Sequence, residues 1–537
     1  MILFKKAVIL IVSILIFIVP FSEEAYAKKS KTYKPAKQTA TKKVKQTPAM
    51  KNYEEGCSYE KLGLVDKAID FFEQAVKEDP KMTAAKFRLA SLYDLKGKLQ
   101  DSKKLYQQIL SQDKTFYLVY NNLGIVEYKL GNKQEAMRNW IESLKYDPNQ
   151  EEVYNNIGML LIMDEKFEQS IKYFDQALKI KPLFQDAAKN RAYALLHSGQ
   201  YKEADDQLSK NSKVFSYNPY SYYNYACFCR EYHNYSAGIR NMDIAIKKKS
   251  NEPIFYLEYA LNLAYNGEYD EALQKMSESK ANPDSFEYKK TMGRIYQLKG
   301  DYDQALSFYL KAQAQKIANA DFYAWFGTLY SEMKFDSKAQ ETWTEGLAKI
   351  KNSANIYLAR AEYKYKKADY AGAIADTNTV LSKNPNSFEA LGIQAKCLQK
   401  QKQTQQAIEF FDKAIDKCPY YYEAFDSLAQ IYLEQKDFKK ASETISNAIE
   451  KNPKQAELYC TLGRIYFDMG NQPQAIRAWM DGLALNGSCA PIYYNLGRAS
   501  ELSDDMNEAK RYYNIYLKHA PDGEYADQVR RKIMNSK

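Results

Sequence analysis

A repeat of 34 residues constrains the fold of this 537-residue chain more than any other feature. Aligning the sequence with itself gives repeats that begin at residues 49, 83, 117, 151, 185, 219, 253, 286, 320, 354, 388, 422, 456 and 490, and the seventh repeat is one residue short. A chain of this length exceeds one ordinary hydrophobic core, and an array of stacked units can grow without such a core. The sequence therefore predicts one repetitive architecture from Ala49 to Asp522.

Two positions of the repeat hold only small residues. The eighth is always Gly or Ala, from Gly56 and Ala90 to Gly497, and the twentieth is always Ala, Ser or Gly. Two antiparallel helices come within about 8–10 Å only where the residues at the contact are small. Turn residues such as Gly131 and Gly300 lie between these positions and end the first helix. Each repeat is therefore predicted to be a helical hairpin, pinned at positions 8 and 20.

Two further positions complete the repeat. Position 24 is usually large and apolar, and we expect it to fill the gap to the next hairpin. Position 32 is often Pro, where one helix has to end before the next begins. The side chains concerned are Phe72, Trp140, Phe174, Tyr309, Trp343, Phe411 and Trp479 at position 24, and Pro80, Pro148, Pro182, Pro385, Pro419 and Pro453 at position 32.

The third repeat shows the whole pattern, with Leu123-Gly124, Ala136, Trp140 and Pro148 at the expected spacing. This pattern closely resembles the tetratricopeptide repeat family. The resemblance implies an all-α fold, a right-handed superhelical solenoid of about 14 hairpins over residues 52–523. Residues 524–537 are predicted to form a capping helix with a polar outer face, because the last repeat has no neighbour.

Two repeats depart from the pattern. The fifth has Leu208 and Asn211 where an aromatic and a small residue belong, and the seventh has Met276 and Ser279. These departures indicate hinges near residues 208–219 and 277–286, or softer packing joints at the same places.

The first 27 residues have the features of a cleaved signal peptide. Lys5 and Lys6 precede an apolar run from Ala7 to Phe21, and Ala25-Tyr26-Ala27 supplies a small-x-small cleavage site. The apolar run is shorter than the ~20 residues that a spanning helix needs, which favours cleavage over a retained anchor. We therefore expect an exported protein, periplasmic or secreted, and leave association with a membrane or wall open.

Residues 28–51 form a basic tail that is predicted to be disordered, because it holds nine Lys, no acidic residue and little that could be buried. Residues 1–51 together carry eleven Lys and two acids, which is +9 of the net charge of +10, so the repeats are almost neutral. That distribution argues against nucleic acid as a partner. The tail could be attracted to an anionic envelope surface, or it could be a soluble spacer.

Catalytic and metal-binding patterns are missing from the sequence. The three histidines lie at unrelated repeat positions, and no nucleophile elbow, phosphate loop or H-E-x-x-H motif occurs. The seven cysteines are scattered, with no C-x-x-C pair. Leader, tail, repeats and cap leave no segment for a catalytic domain. We expect no enzymatic activity, no cofactor and no metal site.

A run of asparagines indicates a peptide-binding groove. Position 6 is Asn122, Asn156, Asn190 and Asn224 in four successive repeats. The run resembles the asparagine ladder in the repeat array of O-linked N-acetylglucosamine transferase, whose amides hold the backbone of an extended peptide, and here it would lie on the concave face. The alternative is that Asn suits this helix position for local reasons. Apolar residues expected beside it are Met159, Met163, Tyr193, Tyr220, Tyr223, Leu257 and Leu261.

The sequence thus predicts an extracytoplasmic scaffold or adaptor that holds extended or helical segments of other proteins in its concave groove. The alternative is a structural spacer or accessory subunit of an export or envelope-polysaccharide machine. Crowded tyrosines, such as those from Tyr217 to Tyr225 and at 420–422, leave glycan binding open as well, since rings with a polar group suit such contacts.

Overall fold

A computed structural model of the chain describes residues 47–535, and every regular element in that range is an α-helix. The contacts among the helices divide the described chain into two units, residues 47–194 and residues 195–535, and each unit is described by itself. Within each unit, successive helices pair into antiparallel hairpins, and one single helix follows the last hairpin. The prediction of an all-α solenoid of hairpins is confirmed.

The first unit begins with the helices α1 Pro48–Lys61, α2 Val65–Glu78, α3 Thr83–Leu95, α4 Leu99–Gln112, α5 Tyr117–Lys129, α6 Lys133–Tyr146, α7 Glu151–Met163 and α8 Phe167–Ile180. The division between the units falls inside α9 Gln185–His197.

The second unit continues with α10 Tyr201–Val214, α11 Pro219–Glu231, α12 Tyr235–Lys248, α13 Pro253–Tyr265, α14 Tyr269–Glu278, α15 Phe286–Lys299, α16 Tyr302–Gln313, α17 Ala320–Glu332, α18 Asp336–Lys349, α19 Ala354–Lys366 and α20 Tyr370–Leu381. It ends with α21 Phe388–Lys400, α22 Thr404–Lys417, α23 Tyr422–Glu434, α24 Phe438–Lys451, α25 Ala456–Asp468, α26 Gln472–Leu485, α27 Ala490–Leu502, α28 Met506–His519 and the single helix α29 Ala526–Asn535.

In the seven hairpins that have glycine at position 8, the ring at position 24 lies on that glycine. A Cβ added to Gly124 would lie 2.5 Å from Nε1 of Trp140, and one added to Gly158 would lie 2.5 Å from Cε1 of Phe174. The ring therefore first fills its own hairpin, and the sequence analysis missed this contact. The same ring also reaches the next hairpin, as expected: Tyr309 packs against Phe326 with ring centroids 5.4 Å apart.

The size of position 24 follows the size of position 8. Opposite a glycine, position 24 is always aromatic, namely Phe72, Trp140, Phe174, Tyr309, Trp343, Trp479 and Tyr513. Opposite an alanine it is mostly smaller or more flexible, namely Tyr106, Leu208, Met242, Met276, Thr377, Phe411 and Ile445. Because interiors are close-packed, the missing methyl of glycine provides the room for the ring.

The ends of the array differ slightly from expectation. Helix α1 begins at Pro48 and is capped by Thr47, whose Oγ1 accepts from the amide of Met50, so residues 48–51 are helical. The predicted tail is too long by these four residues, because Thr and Pro form a helix start there. In the last helix, α29, Val529 is fully buried.

The predicted signal peptide and residues 28–46 of the tail lie outside the described residues. Along the described chain, residues 47–535, no helix combines the length and apolarity that crossing a membrane requires.

In the two repeats that depart from the pattern, Leu208 and Asn211 are buried, and α14 is shortened to ten residues. The two hinges stay predictions.

Candidate functional site

The asparagines at position 6 are divided between the two units. Asn122, Asn156 and Asn190 lie in the first unit on α5, α7 and α9, and their side chains are only 3%, 2% and 4% exposed. Asn224 lies in the second unit on α11 and is partly exposed. We therefore treat the first three as one candidate site.

One recurring hydrogen bond explains what position 6 does between hairpins. The Nδ2 of Asn190 donates to Oδ1 of Asn155, at position 5 of the preceding hairpin, over 3.0 Å. The same pair of positions is joined in the second unit, where Oγ1 of Thr461 donates to Oδ1 of Asp426 over 2.5 Å. Position 6 thus ties the first helices of neighbouring hairpins together.

Asn156 does not follow this rule. Both side-chain atoms of Asn156, and both of its expected partner Asn121, are shielded from solvent and have no hydrogen-bond partner among the described residues. The Oδ1 atoms of Asn122 and Asn190 are equally unpaired, although Nδ2 of Asn122 donates to the hydroxyl of Tyr106 over 3.2 Å. Unpaired buried polar groups cost about 1–3 kcal/mol each, so these unpaired atoms lower the stability of the folded chain.

The expected apolar neighbours divide in the same way. Met159, Met163 and Tyr193 lie in the first unit, where Met159 is buried and Sδ of Met163 accepts from the hydroxyl of Tyr128 over 3.2 Å. In the second unit, Tyr220 and Tyr223 pack on the buried ring of Phe255, Leu257 packs against the same hydrophobic cluster, and Leu261 is buried. Of the seven residues, only Met159 and Leu261 are buried, and the other five are partly exposed.

Most of the crowded tyrosines also pack inside the protein. Tyr220 lies edge-on to Phe255 at 5.1 Å, Tyr225 donates to Asp205, and Tyr421 is 5% exposed. Tyr217 differs, because it is 75% exposed. Packing accounts for more of these rings than the sequence suggested, and this weakens the argument for a glycan site.

Acidic side chains at position 2 are a feature that the sequence analysis missed. Glu389, Glu423 and Glu457 occupy this position in three successive hairpins of the second unit. Burial raises the pKa of both Glu389 and Glu423 to about 7, and Oε2 of Glu423 is shielded from solvent without a hydrogen-bond partner in the described chain. Comparing the residues at position 2 of successive repeats, as was done for position 6, would have found these glutamates.

Further ionisable groups lie around these carboxylates. Burial raises the pKa of Glu231 to about 7 and that of Asp426 to about 6. Arg230 pairs with Glu258 over 2.7 Å, and Lys396 pairs with Glu362 over 3.4 Å. Within residues 47–535, no group of His, Cys, Asp and Glu side chains could hold a metal ion. The arrangement suits recognition of polar and cationic groups.

Comparison with known proteins identifies the repeat. Models described as tetratricopeptide repeat match residues 61–123, 118–145, 151–182, 292–319, 358–422, 398–459, 444–477 and 490–521. No curated protein sequence gives a significant match.

Among solved structures, the chain is similar to one in the crystal structure of the APC/C hetero-tetramer Cut9–Hcn1. The TM-score is 0.60 and the sequence identity is 13%, over 91% of this chain and 96% of that one. At this level of identity the likeness concerns the fold alone.

Proposed function

The chain belongs to the tetratricopeptide repeat family and is a protein-binding scaffold, and from this premise we propose that it holds extended segments of partner proteins outside the cytoplasm. The proposed contact is the amide run Asn122, Asn156 and Asn190. An amide side chain offers both a donor and an acceptor, so it can bind a peptide backbone of any sequence.

The observation that carries this proposal is Asn156, whose donor and acceptor both lack a hydrogen-bond partner in the described chain. Because both atoms are shielded from solvent, the proposal requires the neighbouring helices to move apart locally when a partner segment binds. A buried amide of this kind lowers the stability of the free protein. Its replacement by alanine is therefore expected to leave the free energy of unfolding unchanged or to raise it. If the amide serves a partner, the same replacement weakens binding by about 1 kcal/mol, or roughly five-fold.

The test begins with crosslinking of the exported protein in its own cells, which identifies the partner. The affinity of Asn156→Ala for that partner is then measured beside its folding stability. The matched control is Asn155→Ala, which removes the bond to Asn190 from the other side and leaves the candidate amides in place. We expect Asn155→Ala to lower the folding stability and retain the affinity for the partner. Asn156→Ala should retain or raise the folding stability and lower the affinity.

Two results would count against the amide site. If Asn156→Ala binds the partner with unchanged affinity, the amide run is not the binding site. Equal losses of stability in Asn121→Ala and Asn156→Ala would show that the two amides bond to each other in solution.

The hydrogen bonds between hairpins favour a second candidate function, a structural spacer in an export or envelope-polysaccharide machine. The bonds of Asn190 to Asn155 and of Thr461 to Asp426 would stiffen the array. A spacer should tolerate Asn122→Ala, Asn156→Ala and Asn190→Ala together and should fail when whole repeats are deleted. A scaffold should lose partner capture in the triple variant and should tolerate the deletion of repeats outside the amide run.

A further inference from the structure

Within residues 195–535, hairpins that are far apart in the sequence touch one another. Residues 199–201 and 232–233 contact residues 384–388 and 418–421, and we call this set of contacts the seam. Two ion pairs join residues at a similar separation: Lys454 with Glu268 over 2.7 Å and Lys334 with Asp522 over 2.5 Å. All but one of these pairs join residues 183 to 188 positions apart, about five and a half repeats, and the exception is His233 with Phe388, 155 positions apart.

Tyr201 is at the centre of one half of the seam. Its ring lies edge-on to Phe388 with centroids 5.3 Å apart, and Nδ2 of Asn384 donates to its hydroxyl over 3.1 Å. Gly199 approaches the same loop so closely that a Cβ there would lie 2.3 Å from Oδ1 of Asn384. The backbone of this turn therefore touches the other side of the seam directly.

The other half of the seam surrounds His233. Its ring lies 5.2 Å from that of Phe388 and 5.6 Å from that of Tyr421. Beside it, the thiol of Cys418 donates to the carbonyl oxygen of Tyr232 over 3.3 Å, and Cys418 is fully buried. Opening the seam would break this contact and expose the thiol.

Most seam residues lie in turns or at the helix ends next to them. Residues 198–200 separate α9 from α10, and residues 232–234 separate α11 from α12. Residues 382–387 separate α20 from α21, and residues 418–421 separate α22 from α23. The two sides can therefore part without breaking hydrogen bonds inside the helices. The hairpins on each side stay packed against their neighbours along the chain, because the hydrophobic clusters of a repeat array are shared between adjacent hairpins.

The closed seam also holds an unfavourable group. Nδ1 of His233 is shielded from solvent and has no hydrogen-bond partner among the described residues. Such a group regains water when the contact opens, so it opposes closure. The seam is thus a set of contacts between turns, with one polar atom that favours its opening.

We propose that the seam opens and closes as a unit while the hairpins that it joins stay folded. Glu231, at the end of α11, and Glu389, at the start of α21, lie on opposite sides of the seam, next to the seam residues Tyr232 and Phe388. Opening separates them and gives a partner segment access to both. This last step rests on the proposed scaffold function, whereas the opening itself does not.

The test uses cysteines of the chain as reporters. Cys418 and Cys397 are both fully buried and free, but Cys397 packs in the core around Ala361 and Ile393, away from the seam residues. The full-length protein is treated with N-ethylmaleimide without denaturant, and the labelling rate of each cysteine is read by peptide mass spectrometry. We expect Cys418 to react at least ten-fold faster than Cys397.

The variant Tyr201→Phe removes only the hydroxyl that accepts from Asn384. It should speed the labelling of Cys418 roughly five-fold, the effect of one hydrogen bond, and leave Cys397 unchanged. Asn384→Ala should speed the labelling of Cys418 by a similar factor. The double variant should label little faster than either single variant, because both changes remove the same hydrogen bond.

Equal labelling rates at Cys418 and Cys397, rising together in the variants, would mean that the seam opens only by unfolding and would overturn the proposal. A Cys418 rate that neither variant changes would overturn it as well. No partner is added, so a failed partner-capture experiment would leave this result untouched.

Discussion

Glu389 shows how burial at a single residue links the stability of this protein to pH. Burial raises the pKa of its carboxyl from about 4.5 to about 7. Folding therefore favours the protonated form. The associated stability is present in full below pH 4.5 and is lost as the pH rises through 7.

The variant Glu389→Gln keeps a neutral side chain at every pH, so it should remove this dependence. At pH 8 we expect it to be more stable than the natural protein by roughly 1–2 kcal/mol, allowing for the partial exposure of the side chain. At pH 4.5 the two should be equal. Thermal unfolding at both pH values measures the difference, and Glu450→Gln, at an exposed position of α24, is the control. A gain of the same size at both pH values would show that the carboxyl titrates normally.

The asparagine run shows how far single residues could be predicted. The repeat itself places Asn122, Asn156 and Asn190 in one column, and the structure places each of them on the first helix of its hairpin. Position 5 of the preceding hairpin is Asn in both later cases, Asn155 facing Asn190 and Asn121 facing Asn156, yet only Asn190 is bonded to it. Residue type at the two positions therefore cannot show which amide is paired.

At the level of helices and hairpins, glycine and aromatic ring form one packing unit. A Cβ added to Gly327 would lie 2.3 Å from Nε1 of Trp343, which donates to the carbonyl oxygen of Ala324 over 3.4 Å. An added methyl cannot fit unless the ring moves. This explains why every glycine at position 8 has an aromatic residue 16 positions later.

A double-mutant cycle tests this unit. Gly327→Ala should destabilise the natural protein by about 1–3 kcal/mol because it overpacks the hairpin. In the background of Trp343→Leu the same change should be neutral or stabilising, because the ring is gone and Ala favours helix over Gly. Urea denaturation of the four proteins gives the coupling free energy. A cost of Gly327→Ala that is equal in both backgrounds would disprove the direct contact.

The hairpins themselves could be predicted because their signals are local. Small residues at positions 8 and 20 are 12 apart, and Oγ of Ser102 indeed donates to the carbonyl oxygen of Ala90 over 2.8 Å. The ring contact inside the hairpin could have been found from the pairing of glycine with aromatic residues in the same repeat. Both are patterns within one 34-residue unit.

At the scale of the whole molecule, prediction from sequence reached its limit at the seam. The contact of Tyr201 with Phe388 spans 187 residues, and its position depends on small rotations that accumulate over more than five hairpins. The residues at a single repeat position do not show this accumulated rotation. The tyrosines at 420 and 421 looked unexplained for the same reason, since they contact Tyr232 and His233 across the seam.

Deleting repeats tests the architecture at this scale. Removal of residues 117–150, one complete unit, should leave a helical and soluble protein, because the flanking hairpins present the same surfaces to each other. Removal of residues 117–133, half a unit, leaves the helix α6 without its partner α5. We expect the half-unit variant to lose cooperative thermal unfolding and to aggregate. Circular dichroism and size-exclusion chromatography distinguish these outcomes, and equal damage from both deletions would argue against independent hairpins.

A third deletion, residues 320–353, removes one complete unit between the two sides of the seam. Its hairpins should still fold, so helicity should be retained as it is without residues 117–150. The seam partners, however, are then out of register by one hairpin, and the thiol of Cys418 loses its contact with Tyr232. Because closure depends on the number of hairpins between its two sides, we expect rapid labelling of Cys418 in this variant and not in the variant without residues 117–150. Slow labelling there would mean that other contacts protect Cys418, and that the number of hairpins does not determine how the turns of residues 195–535 meet.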